Sequence, residues 1–108
     1  MKRVSNRESG NCVKNQQEFS TNHGSLYGTK FRLGYAAFSY GSHWPLFVFY
    51  RGKWYANSDK ASRTTSKHYG CAHPGGVVNL RTKGQMRDIV EKLRSASRIR
   101  VKPLEKAR

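Results

Sequence analysis

The chain has 108 residues and sets 21 Lys and Arg against six Asp and Glu, a formal net charge of +15. That length makes one small domain, and 36% apolar residues with a mean hydropathy of −0.81 supply only a small core, expected between Leu26 and Leu93. No run of about 18 apolar residues can span a bilayer, no apolar stretch follows Met1-Lys2-Arg3-Val4, and two cysteines, Cys12 and Cys71, make no disulfide framework; a soluble, cytoplasmic protein is expected.

Residues 1–24 are rich in Asn, Gln, Ser, Glu and Lys, with only Val4, Cys12, Val13 and Phe19 to bury, so a polar, flexible N-terminal segment is predicted. Over residues 26–33, Phe31 and Leu33 alternate with Lys30 and Arg32, the period of a strand with one wet face. Residues 35–40 form a second strand, and the stretch through Gly41, Ser42 and Pro45 a turn. Residues 46–50, Leu-Phe-Val-Phe-Tyr, are a continuous β-prone run, with Phe47 and Phe49 on one face and Val48 and Tyr50 on the other. Arg51-Gly52 then turns the chain into a hairpin partner over residues 53–57. A short helix beginning near Ser62, a turn at His73-Pro74-Gly75-Gly76 and a short strand over residues 77–80 follow. Thr82 and Gln85 have the spacing of a capping box, and Met86, Ile89, Val90 and Leu93 make one apolar helical stripe; Pro103 is expected to end that helix. The predicted class is α+β: a small antiparallel sheet of three to five strands packed by one C-terminal amphipathic helix. The domain occupies residues 25–97, and a basic tail residues 98–108.

Charge is uneven along the chain. Residues 25–78 carry Lys30, Arg32, Arg51, Lys53, Lys60, Arg63 and Lys67 against the single acid Asp59. Lys and Arg neutralise phosphates and release counterions, while aromatic rings offer faces on which unpaired bases stack. Tyr40, Trp44, Trp54 and Tyr55 are the candidate stacking platform, grouped with Arg51, Lys53, Arg63 and Lys67. In residues 57–68, Lys60, Thr64, Thr65 and His68 add donors to Arg63 and Lys67, and the first turn of the short helix could cup a phosphate. The competing structural role is ordinary: Ser and Thr capping a turn, and aromatics in the core with polar tips outside.

The same residues carry a resemblance. Ser39-Tyr40-Gly41-Ser42-His43-Trp44-Pro45-Leu46, then Trp54-Tyr55-Ala56-Asn57, then Lys60-Ala61-Ser62-Arg63-Thr64-Thr65-Ser66-Lys67-His68 resemble a group of small, uncharacterised phage-encoded domains. Those domains combine a Ser-Tyr-x-Thr strand, a hairpin and a Thr-Thr-Ser-Lys-His block, and the likeness covers about half the chain. It departs at Ser42, where Thr is usual, and at the inserted His43-Trp44. The resemblance implies a virus or mobile element as the source, and so the cytoplasm of an infected host cell, and supplies no activity.

An enzymatic reading has little to build on. Two-metal nucleases and glycosidases need clustered carboxylates, and the middle of the chain has one. A metal-independent ribonuclease of toxin type could use His43, His68 and His73 for proton transfer. Gly41-Ser42-His43 is also faintly similar to the Gly-Ser-His motif of HicA-type messenger-RNA-cleaving toxins, but the helix that should precede it is missing from the pattern. His68, Cys71 and His73 have weak spacing for zinc, even with Cys12 as a fourth ligand. The expectation is therefore a non-catalytic protein without metal or cofactor that contacts RNA or DNA, or a ribonucleoprotein, mainly through the phosphate backbone. The alternative is a phage-encoded inhibitor docking on an acidic surface of a host protein.

Overall fold

The computed structural model describes residues 2–21, 24–41, 44–59 and 63–106, with side chains at all of these except residues 2, 63–65 and 97–106. The elements run β1 (Lys2–Val4), a single 3-10 turn (Asn6–Glu8), α1 (Ser9–Lys14), β2 (Phe19–Thr21), β3 (Leu26–Phe31), β4 (Gly34–Ser39), β5 (Pro45–Tyr50), β6 (Lys53–Asn57), α2 (Arg63–Ala72), β7 (Asn79–Arg81) and α3 (Lys83–Lys106). The strands form one sheet in the order of the sequence. From β2 to β6 it is an antiparallel meander, and β1 and β7 are added in parallel at its two edges. Parallel neighbours need a crossover rather than a hairpin. The 3-10 turn with α1 supplies one and α2 the other.

Alternation along the strands divides the core in two. One face carries Phe19, Tyr35, Ala37, Phe47 and Ala56, packed with Cys12 and Val13 of α1 and Ala72 of α2. The opposite face carries Ala36, Phe38 and Val48, packed with Met86, Val90 and Leu93 of α3. Helices therefore cover both faces in three layers, which is why β4 is buried at every position. Phe47 and Val48 separate to the two faces as their alternation predicts. On the α1/α2 face Tyr35 lies across Gly28: a Cβ there would meet the Tyr35 hydroxyl and come within 2.6 Å of Phe19 Cε1. Only glycine leaves room for that ring. The Arg51-Gly52 turn has positive φ at both residues (53° and 78°), the conformation of a tight hairpin whose twist matches its strands.

The expected α+β class, an antiparallel sheet of three to five strands under one helix, is corrected by this architecture. The sheet has seven strands, is mixed, and is packed by three helices. Two of the added elements, β1 and β2, come from the polar first two dozen residues, where Val4, Cys12, Val13 and Phe19 are at most 5% exposed. Each such side chain contributes about 1.5–3 kcal/mol on burial, but only because the rest of the fold provides the surface that receives it. Local composition does not register that surface. α3 also runs past Pro103 to Lys106; a proline removes one donor and displaces one carbonyl, which bends a helix without always ending it. Among the described residues, no helix is long and apolar enough to cross a membrane.

Candidate functional site

The pairing registers define two ends of the sheet. The turns joining β3 to β4 and β5 to β6 lie at one end, since Gly34 pairs with both Phe31 and Tyr50, and Tyr50 with Lys53. The C-terminal ends of β1, β2, β4, β6 and β7 lie at the other. At that second end a cleft of about 870 Å³ opens between the β1 end (Val4 and Ser5), the 3-10 turn (Asn6 and Arg7), the β2–β3 connection (Thr21 and Ser25) and α2 (Lys67, Gly70 and Cys71). Arg7 and Lys67 are exposed. Among the described residues that line the cleft there is no carboxylate.

The carboxylates outside α3 each accept from a backbone N–H, and that of Glu8 also accepts from the Ser5 hydroxyl at the cleft margin at 3.0 Å. Glu8 Oε1 accepts from Ser5 N at 3.0 Å in a capping box, Glu18 Oε2 from Lys30 N at 3.0 Å, and Asp59 Oδ2 from Lys83 N at 3.0 Å. The N-terminus of α3 is thus already occupied by Asp59, together with the Thr82–Gln85 box, in which Gln85 N donates to Thr82 Oγ1 at 3.3 Å and Thr82 N to Gln85 Oε1 at 3.0 Å. A carboxylate held this way satisfies helix and strand donors.

Beside the cleft, Tyr40 N donates to Ser25 O at 2.7 Å and fixes Tyr40 at φ 60°, where a bulky residue is strained. Tyr40 is 55% exposed, and its ring sits 5.5 Å from the ring of His68. His68 Nδ1 and Ser39 Oγ share a hydrogen bond of 2.8 Å, and both residues are buried. Burial, and secondarily the charge of Lys67, lower the His68 pKa and so favour the neutral ring. A Ser–His contact of this length resembles a nucleophile and its base. Enclosed at 1% and 2% exposure, however, the pair is closed to a polymer substrate and serves as a satisfied core contact that seats Tyr40.

The residues singled out from the sequence are distributed as follows. Lys67 lines the cleft, and His68 and Tyr40 stand beside it. Trp44 is half-buried against the α1/α2 core, with Lys83 Nζ 5.1 Å from its ring. Trp54 packs on the same face, edge-on to Tyr35 at 6.2 Å and 5.2 Å from Phe49. Tyr55 points to the opposite face, with the Arg81 guanidinium 5.1 Å from its ring. The four aromatics therefore do not share one surface, because adjacent strand residues alternate. Arg51 and Lys53 are exposed at the hairpin end, away from the cleft. Lys60 lies outside the described residues, as does His43; α2 begins at Arg63, and the side chains of Arg63, Thr64 and Thr65 are also outside the described set. His73 is packed against Phe47 and Tyr69, and its Nδ1 accepts from Gly75 N at 2.9 Å. Among the described residues no group of three His, Cys, Asp or Glu side chains is placed to hold a metal ion.

Comparison with protein families, with curated proteins and with solved structures finds no match to this chain. The site is therefore read from its own chemistry. Arg7, Ser5 and Thr21 were not expected in it, because they belong to the segment whose composition looks unable to order, and Ser25 stands at the boundary of that segment. One local signal was available: Ser5-Asn6-Arg7-Glu8 has the Ser-x-x-Glu spacing of a capping box, and both of its hydrogen bonds form.

Proposed function

We propose that this protein binds RNA or DNA without cleaving it, seating a backbone phosphate in the cleft between the 3-10 turn and α2 and resting a base on Tyr40. The observation that carries this reading is the lining of the cleft: Arg7 and Lys67 with the hydroxyls of Thr21 and Ser25, and no carboxylate among its described lining residues, Glu8 being turned onto Ser5. Two cations amid neutral donors attract a phosphate. The exposed Tyr40 ring, anchored through its backbone to Ser25, adds a face for stacking at low entropic cost. The overall charge of +15 draws such a ligand from a distance.

The test is a titration of nuclease-treated protein into labelled single-stranded and duplex RNA and DNA at two salt concentrations, with the strands checked for cleavage. Tight binding that falls steeply with salt and leaves strands intact is expected. Arg7→Ala with Lys67→Ala should weaken binding on the order of tenfold, roughly 1.4 kcal/mol, and lower the salt slope on single strands by about 1.4, at about 0.7 per phosphate contact. Both residues are exposed, so the double variant should fold normally. Unchanged affinity and slope would remove the cleft from the reading. Negligible binding to all four ligands would overturn it in favour of an acidic host-protein surface, and cut strands would restore a ribonuclease.

A further inference from the structure

The hairpin end of the sheet carries a second set of cations. Because Gly34 pairs with Tyr50, the β3–β4 and β5–β6 turns are neighbours, and they present Arg32, Arg51 and Lys53, all exposed. Arg51 is held at positive φ with its guanidinium 5.3 Å from the Tyr50 ring, so its charge is pre-positioned rather than free to sweep. Glu18, near this end, is bonded to Lys30 N. α3 passes here too: a Cβ on Gly34 would lie 2.8 Å from Leu93 Cδ2. The sequence that follows Leu93 continues with Arg94, which pairs with Glu91 at 3.9 Å, and then Arg98, Arg100 and Lys102.

Six-residue strands with about 3.3 Å of rise per residue separate this surface from the cleft by roughly 20 Å. Helices cover both faces of the sheet between the two ends. A bound strand therefore has no open sheet face along which to run from one set of cations to the other.

We infer that the two ends are separate phosphate-binding surfaces and that one molecule holds two nucleic-acid segments together, one in the cleft and one across the hairpin tips. This rests on the function proposed above. What it adds is valence: a protein with one site coats a strand, whereas a protein with two sites at opposite ends joins strands or folds one back on itself. Once the first end is occupied, a second segment of the same strand meets the other end at high effective concentration.

The experiment mixes donor-labelled and acceptor-labelled single strands with the full chain at one protein per two strands, reading energy transfer for bridging and anisotropy for binding. Wild type is expected to give both signals. Arg7→Ala/Lys67→Ala should keep anisotropy through the hairpin end and lose energy transfer by at least about fivefold. Arg51→Asn/Lys53→Ala should do the same through the cleft; Asn is chosen because it suits the positive φ of that turn. Anisotropy without energy transfer in wild type would overturn the inference and leave the proposed function standing. Energy transfer that survives in both one-ended variants would also overturn it, because paired copies of the chain would then be doing the bridging. No anisotropy change at all would overturn the proposed function with it.

Discussion

The two faces of the sheet bury comparable rows of strand side chains but are closed by different means. Under α3 the interface is apolar: Met86, Val90 and Leu93 sit on Ala36, Phe38 and Val48. Under α1 and α2 it is laced with polar contacts. Tyr35 Oη donates to Gln17 O at 2.6 Å, and Ser39 pairs with His68. An apolar stripe is specified by period alone and tolerates exchange of one hydrocarbon for another. A laced interface is specified pair by pair, and each partner left alone in the interior is expensive. The cleft forms at the margin of the second kind of face.

Truncation on the α3 face should have the largest effect. Leu93 is fully buried and lies against the β3–β4 turn. Leu93→Ala is expected to cost about 3–4 kcal/mol, the sum of lost transfer free energy and the cavity left behind, read as a shift in the urea midpoint at constant slope. A cost below about 1 kcal/mol would mean that α3 is peripheral and that the α1/α2 face alone sustains the fold. On the other face the corresponding break is an addition. Gly28→Ala drives a methyl group into Tyr35 and Phe19 and is expected to cost about 2–3 kcal/mol. Because the nearest obstacle is the Tyr35 hydroxyl, Tyr35→Phe in the same chain should recover part of that cost. Simple addition of the two single effects would show that the ring does not lie across Gly28.

The contrast also explains what was legible in the sequence. The stripe of α3, its Thr82 box, the Arg51-Gly52 hairpin and the split of Phe47 from Val48 all follow from period, capping chemistry or turn chemistry, which act within a few residues. β1, α1 and β2 were not legible. Val4, Cys12, Val13 and Phe19 are too few to look like a core segment, and they are buried only because α2 and β3 receive them. The site shared that fate. Lys67, His68 and Tyr40 stood out as a basic and aromatic group, whereas Arg7 and Thr21 are brought together by the parallel β1–β2 pairing, a long-range feature with no local signature. Arg51 and Lys53 were grouped with Lys67 because they are close in sequence, and the meander carries them to the far end of the sheet.

The smallest effect sharpens the comparison most, because among the described residues the laced face holds a buried histidine. His68 meets Ser39 on β4, the Tyr40 ring and its own neighbour Lys67. Burial first, and Lys67 second, lower its pKa below the ordinary 6.5. The unfolded chain therefore takes up the proton before the native state does. The stability that His68 contributes is complete above pH 6.5 and is lost as pH falls through that value toward the depressed native pKa. Thermal midpoints measured from neutral pH downward should fall more steeply for wild type than for His68→Asn, which retains a partner for Ser39 but carries no proton to titrate. The gap between the two proteins should narrow on acidification, whatever the other histidines contribute to both. A gap that stays constant across the range would mean that His68 is solvated in the native state, and the enclosed Ser39–His68 contact that seats Tyr40 beside the cleft would have to be abandoned.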